Sequence, residues 1–205
     1  MNSALPLRAL AVLAALICSG KAEAHAFDTG ADQYAQFIEG VGVILASPET
    51  LLPLAALGIL ISLWQPEGLL RVWPVFLIGQ AIGIPLAAAI GPWVVPTVQG
   101  AGLLIAVWAA LMQRHARIAV IVASMTLGAL VMMASLEGHG LLELPVAIHL
   151  GIFFGINLSI AMVAGMARFA IEQVDTTWMR ILWRIAASWL AAILVLLFAF
   201  NFVAT

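Results

Sequence analysis

The chain has 205 residues, of which 64% are hydrophobic and 9% charged, and its mean hydropathy is +1.14. A soluble domain carries roughly 25% charged residues, so this composition excludes one and indicates an integral membrane protein. The few scattered basic residues and the net charge of -2 give no footprint for nucleic acid. The length holds about six spans of roughly 20 residues each and leaves no room for a soluble catalytic domain.

Residues 1–24 have the pattern of a cleaved secretory signal peptide. Arg8 supplies the positive start, Ala9–Ile17 the apolar stretch and Ala22-Glu23-Ala24 an A-x-A cleavage site. A retained first span is the competing reading, but Ser19-Gly20-Lys21 breaks the run before a full crossing is reached. Ile17 stands where lipoprotein processing at Cys18 would need a small residue. Cleavage after Ala24 leaves a mature chain, residues 25–205, that begins at His25 outside the cytoplasm and contains no cysteine, so thiolate metal ligands are excluded.

Ala26–Glu39 carries Asp28, Asp32 and Glu39 with no Lys or Arg, and is too polar to span. It is expected at the outer surface as a short amphipathic helix. Gly40–Trp64 is apolar except at Ser47-Pro48-Glu49-Thr50. Pro48 cannot donate a backbone bond and Ser47 can cap a helix start, which predicts a broken entry with the main helix from about Leu51. A single Pro-kinked helix is the alternative.

Further spans are expected at about Leu70–Ile90, Thr97–Met112, Ile118–Leu136, Pro145–Phe169 and Ile181–Val203, with a charged loop from Arg168 to Arg184. Two of them carry GxxxG spacings, at Gly79/Gly83 and Gly151/Gly155, which permit close helix approach. With the signal removed, Arg71, Arg114, Arg117, Arg168, Arg180 and Arg184 all fall on the cytoplasmic side, and they are every basic residue of the mature chain. This satisfies the positive-inside rule. The expected fold is therefore an all-α bundle of six transmembrane helices in a bacterial inner membrane, with both mature termini periplasmic.

The same topology gathers chemistry on the outer face. Glu137-Gly-His-Gly-Leu-Leu-Glu-Leu-Pro-Val-Ala-Ile-His149 is a short polar break between two long apolar runs. Imidazole and carboxylate together suit first-row metals such as nickel, cobalt, copper and zinc. The candidate ligands are His25, Glu49, His139, Glu143 and His149. Each also has an ordinary reading: His139 as a solvated loop residue, His149 bonded to a neighbouring carbonyl, Glu49 at a helix end. Gln80 and Asn157 could serve as neutral ligands along a pathway, or simply make an interhelical hydrogen bond. Nucleophile motifs, phosphate loops and a zincin H-E-x-x-H are absent, so no enzyme is expected.

Taken together, Ala24-His25, the broken entry Leu45-Ala46-Ser47-Pro48, Leu63-Trp64 and Gly138-His139-Gly140 followed by Glu143-Leu144-Pro145 resemble the HupE/UreJ family of bacterial membrane proteins. That resemblance covers most of the chain and implies six spans and a nickel or cobalt permease. The family's first span looks like His-Pro followed by Asp-His. Here Ser47-Pro48 and Pro53-Leu54 occupy those places, with Glu49 the acid that remains. The resemblance thus implies a metal site rebuilt from Glu49, His139, Glu143 and His149, with no permanently bound cofactor. The alternative is a non-transporting membrane subunit that packs against a larger complex through its GxxxG faces; a homo-oligomer would instead fit the permease.

Overall fold

A computed structural model describes residues 32–64, 67–88, 91, 93–112, 116–139, 143–174 and 177–202. The expected signal peptide and His25 lie outside the described residues, as do Arg114 and parts of several turns. What is described is all-helical: α1 Gln33–Ala46, α2 Pro48–Leu63, α3 Gly68–Ala87, α4 Val94–Leu111, α5 Arg117–Ser135, α6 Val146–Val174 and α7 Thr177–Phe200. Helices α3 to α7 are each long and apolar enough to cross a membrane, and α1 and α2, bent by 72° at Ser47, make a sixth crossing if taken as one span.

The bend follows from local chemistry. Asp32 caps α1, its carboxylate accepting from the Ala35 N–H at 2.7 Å. The helix stops at Ser47, whose extended backbone is what a residue before proline adopts. Pro48 then opens α2, where its missing N–H costs nothing. The Ser47 hydroxyl makes no capping bond to α2; instead its carbonyl accepts from the N–H groups of Thr50 and Leu51 and from the Thr50 hydroxyl. The entry is therefore broken rather than kinked. The polar stretch before it is no separate surface helix: from Gln33 it runs continuously into the apolar Gly40–Ala46.

α2 is apolar all round, and such a helix belongs in the core. Pro53, Leu54 and every residue from Ala56 to Ser62 are buried, with α4, α6 and α7 among the helices against it. Around it stand three tightly packed pairs: α1 with α6, α3 with α5, and α4 with α7.

Two of the pairs are glycine seams. A Cβ on Gly79 would strike the Met125 carbonyl of α5, and one on Gly83 would come within 2.6 Å of the Ala129 carbonyl. In the other seam Gly151 faces the Phe37 carbonyl of α1, and Gly155 faces Ile44. Both GxxxG faces are thus filled by other helices of the same chain. The contacts in each seam advance together, so those helices run parallel. α4 and α7 are antiparallel, because Arg184 meets Ala110 and Leu111 while Asn201 meets Gln99.

Three boundaries differ from the sequence expectation. α4 begins at Val94, before Pro96, because proline is tolerated in a first helical turn. α6 runs on to Val174 and α7 starts at Thr177, so the expected charged loop is mostly helix. Within it Arg168 pairs with Glu172 one turn on.

Helix direction sorts the charges to two ends. The ends of α2, α4 and α6 and the starts of α3, α5 and α7 share one end, where Arg71, Arg117, Arg168, Arg180 and Arg184 all lie. Asp32, Glu39, Glu49, Glu137, Glu143, His139 and His149 lie toward the other, which has no Lys or Arg among the described residues.

Candidate functional site: the acidic end and the helix break

Glu49 stands in the first turn of α2, where the free N–H groups and helix dipole favour a carboxylate. Four residues on, Pro53 packs into Gly102, with a Cβ there falling 2.6 Å from the proline ring. Gly102 lies eight residues, about 12 Å, into α4. Glu49 can be at most about 6 Å along α2 from Pro53, so its backbone sits inside the helical layer. Its own carbonyl lacks the usual donor, because Pro53 has no N–H to offer four residues back.

The break adds further oxygen. The last four carbonyls of a helix have no intrahelical partner. Among the described residues, no backbone N–H beyond α1 bonds the carbonyls of Val43 to Ala46. Non-helical backbone at such depth is tolerated where it is buried in protein or lines a cavity.

Glu137 reaches the same place from the end of α5. Burial, and then repulsion from the Glu49 carboxylate, push its pKa above the ordinary glutamate value. The turn that presents it needs Gly138, which adopts φ +81°, a left-handed conformation costly for other residues. His139 closes this turn, its N–H bonding the Leu136 carbonyl and its Nδ1 lying 3.1 Å from the Glu137 carbonyl oxygen. His149 is held within α6, with Nδ1 3.2 Å from the Pro145 carbonyl. With the proton on Nδ1, donated to that carbonyl, Nε2 carries the ring's lone pair.

Of the predicted ligands, then, the structure brings Glu49 beside Glu137 and His139 next to that pair in sequence. Glu143 is exposed ahead of α6 and His149 belongs to its first turns. Among the described residues no three His, Cys, Asp or Glu side chains converge closely enough to hold a metal ion. Glu137 was absent from the predicted ligands. Its position at the acidic end of a span was the available signal, but its proximity to Glu49 is tertiary.

The two amides of the predicted pathway hold each other. Asn157 Nδ2 donates to Gln80 Oε1 at 3.0 Å and to the Phe153 carbonyl at 2.8 Å. Its Oδ1 accepts from Trp73 Nε1 at 2.8 Å and from Gln80 Nε2 at 3.5 Å. The Asn157 amide is saturated. In the described arrangement it ties α3 to α6 and is no open ligand, which is the interhelical reading of these residues.

No protein-family model, curated protein or solved structure matches this chain.

Proposed function

We propose that the chain is a six-span inner-membrane permease for a divalent transition-metal cation, taken in at the acidic end beside the break between α1 and α2. The observation that carries this reading is that Glu49, beside a helix break, lies near enough to oppose the ionisation of the partly buried Glu137. An ionisable residue within a span is a functional candidate by default. A glutamate whose ionisation is opposed by burial and then by a nearby carboxylate, close to a helix end, forms an environment that a cation relieves. Discontinuous helices offer such carbonyl ends to cations in membrane transporters. His139, following Glu137 by two residues, supplies an imidazole within reach of the same mouth.

The choice of nickel or cobalt rests on the resemblance to the HupE/UreJ family, while the cleaved signal and the mature His25 rest on the pattern of residues 1–24, and the periplasmic placement of the acidic end on the one-sided arginines. Glu143 and His149 would serve as an approach to the mouth. The alternative, a non-transporting subunit, draws on the lack of a closed three-ligand cluster among the described residues. Its docking face would have to be other than the GxxxG seams.

The test is uptake of labelled nickel and cobalt in cells lacking their own importers, with wild type, Glu49→Gln, Glu137→Gln and His139→Ala at equal membrane levels. Uptake that rises with expression and falls to background in the two Gln variants is the expected result. Wild-type uptake equal to empty vector would sink the permease reading.

A further inference from the structure

At the arginine end, the end of α2, the start of α3 and the last turns of α6 enclose a cavity of about 320 Å3, within the size range of small-ligand sites. Three features mark it. Its wall carries Arg168 together with Glu67 and Glu172, beside the apolar Leu69 and Leu70. The Arg168 Nη1 is buried and has no hydrogen-bond partner among the described residues, while its Nε is bound to Glu172. On α6, Gly165 leaves open space, since a Cβ there would meet no atom within 4 Å.

A charged donor left without an acceptor is costly, and no described residue supplies the acceptor. A phosphate oxygen in the cavity would supply it once the guanidinium turns to present that nitrogen. The two carboxylates argue against a purely anionic guest. Glu172 is bonded to Arg168 and Glu67 lies 3.5 Å from Arg71, but a carboxylate has about four acceptor positions and both retain capacity. One cationic and two anionic groups therefore call for a ligand carrying phosphate and N–H-bearing ammonium together. Leu70, 82% exposed at the edge of the helical layer, offers an apolar side that favours a lipid over a soluble phosphate.

We propose that this cavity is a headgroup site for a zwitterionic phospholipid with a primary ammonium, its phosphate on Arg168 and its ammonium between Glu67 and Glu172. The site does not depend on the transport reading.

The experiment adds phosphatidylethanolamine, phosphatidylcholine or phosphatidylglycerol to the delipidated full chain in detergent, and reads bound lipid by native mass spectrometry and stability by thermal melting. Phosphatidylethanolamine should be retained and should raise the melting temperature. Phosphatidylcholine keeps the phosphate but has no N–H, and phosphatidylglycerol has no ammonium, so both should bind about tenfold or more weakly. Arg168→Gln should lose the preference. Because that change also breaks the pair with Glu172, Gly165→Trp is the second variant: its Cβ has open space, its indole would occupy the cavity, and it should abolish retention in a chain shown to be folded. Equal retention of the three lipids, or retention unchanged in folded Gly165→Trp, would overturn the proposal. Binding of soluble glycerophosphoethanolamine as tight as that of the lipid would overturn the lipid source.

Discussion

The two ends of this bundle treat charge in opposite ways. At the arginine end, Glu67 pairs with Arg71 and Glu172 with Arg168. Arg184 donates from Nε and Nη2 to the terminal carbonyls of α4, both at 2.9 Å. Most of the charge there is discharged locally, between neighbours on one helix or onto an open helix end, with Arg168 Nη1 the exception. At the acidic end there is no Lys or Arg among the described residues, and Glu137 faces Glu49 instead. Compensated charge is structure; charge left facing like charge is a demand for something from outside. The difference sets an end whose arginines are mostly paired or capping against an end where a partly buried glutamate lies near a second carboxylate.

The largest effect should come from what the ends share, the glycine seams. Gly79→Leu or Gly151→Leu would drive a side chain into backbone carbonyls of a parallel neighbour, and backbone cannot give way as a flexible side chain can. Overpacking typically costs about 1–3 kcal/mol and more where nothing can shift. Both variants should lose folded, monodisperse protein in detergent. A fully folded Gly79→Leu would mean that α3 and α5 are not in close contact.

Next comes the arginine end. Arg184→Gln removes the charged donors that cap α4, and hydrogen bonds to charged groups contribute about 1.5–3 kcal/mol. Solvent at the exposed Nη2 reduces that, so a loss of about 1–2 kcal/mol in reversible unfolding is expected. Glu49→Gln at the other end should leave stability unchanged or raised while removing cation-dependent effects. If Glu49→Gln destabilised as much as Arg184→Gln, the contrast between the ends would fail.

A smaller effect belongs to the amides between the ends. A double-mutant cycle of Gln80→Leu and Asn157→Leu should give a coupling of about 0.6–1 kcal/mol, as for other intramembrane hydrogen bonds. A coupling near zero would return these amides to the role of free ligands.

Much of this architecture was legible before any coordinates. Apolar runs and the one-sided arginines depend on composition along the chain, which sequence displays directly. The break at Ser47 was legible because Pro48 acts locally, on its own φ and on the residue before it. Boundaries were lost where local signals pointed two ways: Pro96 suits a turn as well as a first helical turn, and the charges from Arg168 to Arg184 suit a loop as well as a salt-bridged helix end. The site was the least legible part. Glu49 and Glu137 are far apart in the chain and meet only because α2 and α5 pack in one bundle. Likewise the GxxxG spacings announced close approach but could not say to what, and the answer was another helix of the same chain.

The smallest effect is the most direct test of what separates the ends, because it follows a single proton. In the folded state Glu137 has a raised pKa, from burial first and Glu49 second, while in the unfolded chain it titrates near 4.3. Between those two values the folded state holds more protons than the unfolded one, so stability falls as pH rises. The loss begins near the ordinary glutamate pKa and is complete above the raised one. Glu137→Gln should therefore flatten melting temperature against pH across that window, and Glu49→Gln should reduce the slope only in part, since burial remains. A divalent cation held at the mouth competes with this proton, so its affinity should fall as pH drops through the raised pKa. Changes at Arg71 and Glu67, already paired at the other end, should leave that profile unmoved. A pH profile that shifted with Glu67→Gln but not with Glu137→Gln would place the uncompensated charge at the wrong end of the molecule.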